Sequence, residues 1–138
     1  GSYITRAGFL SLDRKDIKKS IKNMHNIINL LKRGESFVIF PEGRLTRDGS
    51  VGEFGRGASI IIQHSRKPVV PIAIDGTFKV LPKGAWKLRV AEVKMTIGKP
   101  VYFSDYYGET SKNVSLKLSD ELRGIVLGLK DKGNNKLC

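Results

Sequence analysis

The sequence is poorest in the residues that most often announce a function. It has one cysteine, the terminal Cys138, so no internal disulfide can form. It has two histidines, His25 and His64, far apart and with no second histidine or cysteine at metal-ligand spacing. No metal site is expected. A Gly-x-Ser-x-Gly elbow, a Gly-x-x-x-x-Gly-Lys-Ser/Thr phosphate loop and a dinucleotide fingerprint are all missing. Aromatics make up 8% of the chain and are scattered, which argues against a base-stacking platform for nucleic acid. The longest apolar patches, Phe37 to Pro41 and Ile60 to Ile62, fall well short of the ~18 residues that cross a bilayer. No basic stretch leads into an apolar run at the start, so no signal peptide is read there.

What is abundant is positive charge. Twenty-five Lys and Arg stand against 13 acids, a formal net charge of +12 over 138 residues. Such a surface attracts polyanions: nucleic acid, anionic membrane or phosphorylated small molecules. The 40% hydrophobic content is that of a globular domain, and the length suffices for one core. Gly1-Ser2 reads as an expression-vector remnant, residues 3–131 as the domain and 132–138 as a basic tail.

The pattern along the chain alternates strand and helix. Gly8 to Leu12 reads as a short strand, and Asp16 to Arg33 as a helix. In that helix Ile17, Ile21, Met24, Ile28 and Leu31 recur at three- and four-residue steps, and Gly34 is placed to end it. Its lysines form a basic face that suits anionic lipid or plain solvent. Ser36 to Phe40 reads as a buried strand, Pro41 to Gly57 as a glycine-rich loop and Ala58 to Ser65 as a helix. Val69 to Ile74 is a strand in which Pro71 marks an edge or an end of pairing. Leu88 to Ile97 and Val101 to Phe103 read as strands, and Asn113 to Leu129 as a last helix. This alternation implies an α/β fold, a layered domain with a mostly parallel sheet flanked by helices.

The chemistry concentrates in the loop. A strand ends at Phe40, Pro41 turns the chain and Gly43 allows close backbone approach to a ligand. Ligands of α/β sheets bind beyond the carboxyl ends of strands, where this loop falls. Arg44 and Arg47, with Arg14 if the first two strands are neighbours, are the candidates to grip a phosphate through their forked donors. Glu42 is placed to pair with an arginine or to accept hydroxyl hydrogens. A plain turn with solvated charges is the competing reading of such a segment.

The string Phe40-Pro41-Glu42-Gly43 resembles the third conserved block of the glycerol-phosphate and 1-acylglycerol-3-phosphate acyltransferases. Gly8 to Arg14, ending Leu12-Asp13-Arg14, resembles the second block, and Val70-Pro71-Ile72-Ala73-Ile74 the fourth. Phe54-Gly55-Arg56-Gly57-Ala58 is similar to the step that follows the third block in that family. Where the family commonly continues Thr-Arg-Ser, this chain has Arg44-Leu45-Thr46, with the arginine one place earlier.

The resemblance implies transfer of a fatty acyl group to the free hydroxyl of lysophosphatidate, glycerol 3-phosphate or another lysophospholipid. The donor would be acyl-CoA or acyl carrier protein, with no cofactor. It implies substrate binding by Arg14, Glu42, Gly43, Arg44, Thr46 and Arg47, supported by Asp13, Phe40, Pro41, Arg56, Gly57 and Pro71. It also implies work at the cytoplasmic face of a membrane, peripheral or through an upstream anchor, and no nucleic-acid partner. The family's first block, His-x-x-x-x-Asp, supplies the general base. Here Leu30 stands five residues after His25 and Val69 five after His64, so neither reproduces it. That block would fall before Gly8, and the chain is read as N-terminally truncated, with no catalytic residue and no turnover by itself. A non-catalytic basic module for anionic membrane or nucleic acid is the competing function.

Overall fold

The computed structural model describes residues 17–82, 84–109 and 111–134. The chain divides into two compact units, Gly1–Val38 and Ile39–Cys138. The expected strand Gly8 to Leu12 lies outside the described residues, as do Asp13 and Arg14.

In the first unit, helix α1 spans Ile17–Lys32. Ile27 and Ile28 of the apolar stripe are buried, whereas Ile21 is half exposed. Gly34 ends the helix as its sequence position suggests. It adopts φ +91°, its N–H donates to the Leu31 carbonyl, and the Glu35 N–H reaches back to Leu30, both at 3.1 Å. These two bonds satisfy carbonyls that the helix end leaves open.

The second unit is built on its last helix. Its elements are α2 (Arg56–Ser65), β1 (Ile72–Asp75), the single turn α3 (Thr77–Val80), β2 (Lys94–Ile97), a 3-10 turn (Ser104–Tyr106) and α4 (Lys112–Asn134). Helix α4 packs against α2, both strands and the 3-10 turn. Phe54, Ile62, Phe103, Leu118 and Leu122 form the core, with Val69, Val101, Ile125 and Val126 against it. Small polar residues let α2 and α4 approach closely. Ser59, Gln63, Ser115 and Ser119 are all buried between them. The Ser59 and Ser119 hydroxyls meet at 2.6 Å, and the Ser115 hydroxyl donates to Gln63 Oε1 at 3.1 Å. Burying hydroxyls is tolerated here because each finds a partner.

The sheet differs from the expectation. Among the described residues it has two strands, and they are antiparallel, with Ile72 opposite Ile97 and Ile74 opposite Met95. Its Ala73 and Thr96 face is turned to α4, where Thr96 lies close to Gly133. Pro71 sits immediately before β1, and its carbonyl accepts from the Gly98 N–H at 2.9 Å, so it marks the end of the pairing. Val101 contributes one bridge to Val69 and no strand.

Three further expectations are corrected. Ser36 to Phe40 is not a buried strand: Val38 and Phe40 are 75% and 69% exposed, and no ladder forms along the segment. An apolar run becomes a strand only with a partner for its backbone groups. Likewise, Leu88 to Val93 is not paired, and only Lys94–Ile97 forms strand. The last helix runs on to Asn134 rather than ending near Leu129. The extra turn is held because the Lys130 ammonium bridges the Gly49 carbonyl and Asp75, each at 3.0 Å.

Candidate functional site

The loop after Phe40 has a closed neck. The Gly43 N–H turns back to the Phe40 carbonyl at 3.0 Å, and the Gly55 N–H reaches the Pro41 carbonyl at 2.8 Å. Gly43 takes φ +59°, a left-handed conformation that glycine adopts without a Cβ penalty. Residues 41 to 55 thus leave and return at one point, and α2 starts directly afterwards at Arg56. That start is two residues earlier than the sequence pattern suggests, so Arg56 and Gly57 open the helix rather than close the loop.

Inside the neck, Glu42 braces the loop from within: its Oε2 accepts the Gly52 N–H at 2.9 Å. A Cβ on Gly52 would fall 2.8 Å from that oxygen and 3.6 Å from Arg44 Nη2, so Gly52 leaves room for both side chains. Glu42 is therefore part of the loop's frame, and the Arg44 guanidinium lies beside it.

The tip is shaped by short polar residues. The Thr46 hydroxyl donates to the Ser50 carbonyl at 3.0 Å and accepts the Gly49 N–H at 2.9 Å. Asp48 Oδ1 accepts from the Ser50 hydroxyl at 2.6 Å and from its N–H at 2.9 Å. Those two bonds hold the Asp48 carboxyl below its ordinary pKa. Thr46 thus orders the loop through its own backbone. Arg44 and Arg47 are exposed and make no hydrogen bond or ion pair among the described residues. Their forked donors remain available to an anion. Phe40 and Pro41 form the neck, and Arg56 Nε is buried without a hydrogen-bond partner at the start of α2.

Two residues that hold this loop were not singled out by sequence. Arg123 donates from Nε to the Gly52 carbonyl at 2.8 Å and from Nη2 to the Val51 carbonyl at 3.0 Å. Lys130 holds Gly49. Both belong to α4, seven residues apart and so on one face of the helix. The available signal was two cations at that spacing in a helix otherwise patterned for packing, which more often marks a solvated face.

Among the described residues neither histidine pairs with a carboxylate. His25 Nδ1 contacts the Ile21 carbonyl at 3.0 Å and His64 Nδ1 the Ile60 carbonyl at 2.9 Å, each within its own helix and exposed. No group of three or more histidines, cysteines or acids able to hold a metal occurs among the described residues.

The loop is thus framed by a glutamate, backed by a helix, and carries two arginines with no hydrogen bond or ion pair among the described residues. Comparison with known proteins sharpens this. The acyltransferase family model matches residues 1–75, and the chain belongs to that family. It is 35% identical over 105 residues to the chloroplastic 1-acyl-sn-glycerol-3-phosphate acyltransferase BAT2 of Brassica napus, matching 75% of this chain and 30% of that protein. With the Bacillus subtilis 1-acyl-sn-glycerol-3-phosphate acyltransferase it shares 29% identity over 132 residues, 96% of this chain and 62% of that one. The fold is similar to the crystal structure of the 1-acyl-sn-glycerophosphate (LPA) acyltransferase PlsC from Thermotoga maritima. There the TM-score is 0.68 at 29% identity, covering 80% of this chain and 46% of PlsC. The chain spans about a third of the length of the chloroplastic relative.

Proposed function

We propose that this chain carries the acceptor-binding part of an O-acyltransferase that moves a fatty acyl group from acyl-CoA or acyl carrier protein to the free hydroxyl of lysophosphatidate. The observation that carries the reading is the braced loop: Glu42 and Arg123 fix its backbone, while Arg44 and Arg47 lie exposed with no hydrogen bond or ion pair among the described residues. A phosphate monoester is the ligand such forks suit, because two parallel hydrogen bonds accompany the charge attraction. The names of the relatives, all 1-acylglycerol-3-phosphate acyltransferases, support the same acceptor. Arg14 joins the proposal through its place in the second-block resemblance.

Attack on a thioester needs a base near neutrality to take the hydroxyl proton. No His-x-x-x-x-Asp occurs in these 138 residues, so we assign them acceptor binding without turnover. The mostly parallel sheet flanked by helices belongs to the same proposal. So does work at a membrane surface, which the net charge of +12 favours.

Thermal denaturation with glycerol 3-phosphate and with a short-chain lysophosphatidate tests the binding. The melting temperature should rise with either ligand, and the Arg44→Ala/Arg47→Ala pair should remove most of the rise. No rise at millimolar ligand, or one indifferent to both arginines, would overturn the site. Measurable acyl-CoA consumption by the chain would overturn the absence of turnover. Tight, salt-steep binding to an oligonucleotide would favour the basic-module reading instead.

A further inference from the structure

Between α3 and β2 the chain forms a second ordered loop that the acceptor site does not use. It is tied at the base by the Arg89 N–H donating to the Val80 carbonyl at 2.8 Å. At its turn the Ala85 N–H reaches the Pro82 carbonyl at 2.9 Å, with Gly84 at φ +88°. Past the turn, apolar and basic residues alternate: Trp86, Lys87, Leu88, Arg89, Val90. The apolar members are among the most exposed large hydrophobics of the described residues. Trp86 is 85% exposed, Leu88 75% and Val90 107%. The Lys87 ammonium sits 4.6 Å from the centre of the Trp86 ring, and both it and Arg89 are exposed.

A tied loop that presents tryptophan, leucine and valine to water leaves a large apolar area uncovered. The residues between them say what covers it. From Leu81 to Val93 the sequence has three basic residues against one acid, Glu92. Tryptophan favours the boundary between headgroups and acyl chains, where its ring is half apolar and its indole N–H stays wet. Lysine and arginine beside it reach anionic headgroups while their stems lie along the apolar side.

We propose that the Trp86–Val90 loop docks into the interfacial zone of an anionic lipid bilayer. Trp86, Leu88 and Val90 enter the acyl boundary, and Lys87 and Arg89 contact the headgroup phosphates. The assignment deepens the membrane part of the function proposed above, and rests on it. It names one surface for that contact, distinct from the basic face of α1.

Trp86 is the sole tryptophan, so its fluorescence reports this loop alone. The full chain is mixed with vesicles of phosphatidylcholine, with and without an equal part of phosphatidylglycerol. Emission should shift to the blue and be quenched by lipids brominated on their chains, with the anionic vesicles only. The Leu88→Ser/Val90→Ser and Lys87→Glu/Arg89→Glu variants should each lower partitioning roughly tenfold or more. Both pairs are exposed, and circular dichroism confirms that they fold. Co-sedimentation with Trp86 emission unchanged sinks this loop and leaves membrane association standing. Failure to co-sediment sinks both. A blue shift that grows with protein concentration in the absence of lipid gives the loop to a second copy of the chain, and also overturns the proposal.

Discussion

The Arg123 guanidinium donates from Nε to the carbonyl of Gly52, 71 residues earlier, at 2.8 Å, so the last helix fixes the backbone of the loop over residues 41–55. Arg123 acts as a positioning residue, since its Nε and Nη2 both donate to the loop backbone. Arg123→Ala should destabilise the chain by about 2 kcal/mol, the order expected for losing charge-assisted bonds in a partly buried setting. Arg123→Lys should recover only part of this, since one ammonium cannot reproduce the planar fork to Gly52 and Val51. Urea denaturation measures the stability. Glycerol 3-phosphate titration should show weaker binding while Arg44 and Arg47 are intact.

The serine seam between α2 and α4 predicts intolerance of bulk. Ser115 is fully buried against Gln63, so Ser115→Leu should cost about 3 kcal/mol through overpacking. Ser119→Ala removes no bulk contact but loses the hydroxyl's bonds to Ser59 and to the Ser115 carbonyl, and should cost about 1 kcal/mol. The ratio of the two losses, read by chemical denaturation, checks whether close approach or hydrogen bonding dominates the seam.

Two positions of positive φ should respond in opposite directions. At Gly76, φ +88°, an added Cβ would overlap the Glu92 carbonyl oxygen, so Gly76→Ala should cost about 3 kcal/mol or more. At the end of α2, Arg66 takes φ +56° as a non-glycine C-cap. Arg66→Gly should therefore stabilise by about 1 kcal/mol, by relieving the left-handed conformation. Melting curves of the two variants settle both signs.

Two titrations bound the pH range. Hydrogen bonds from Ser50 lower the Asp48 pKa, so its contribution to loop order is present above the ordinary value near ~3.9 and is lost as pH falls below it. Tyr106 behaves oppositely. Its hydroxyl donates to Glu121 at 2.6 Å, that bond raises its pKa, and its contribution is present below ~10 and lost as pH rises through the folded value. Amide exchange at Ser50 in acid, and phenolate absorbance with Tyr106→Phe as control in alkali, are the readouts.

The helices were legible because their apolar spacing and end signals are local, as Gly34 shows. The loop was legible from its glycines and the Phe-Pro-Glu-Gly string. Its braces were not, since Arg123 and Lys130 resemble any exposed cation until the chain returns to the loop. Strand readings failed where pairing, a non-local property, was absent: Phe40 and Val90 are as apolar as strand residues but have no ladder. Arg14 and Asp13 lie outside the described residues, so their expected roles rest on the resemblance.

The tie from Lys130 to Gly49 spans 81 residues and sets an order of events during synthesis. The loop emerges from the ribosome long before the helix that braces it. Until α4 is made, the ties from Arg123 and Lys130 to residues 49–52 cannot form, and loop closure over that separation must wait for them. The braced form of the loop is therefore acquired only once α4 is made, and a nascent chain halted before Arg123 would carry Arg44 and Arg47 without that frame.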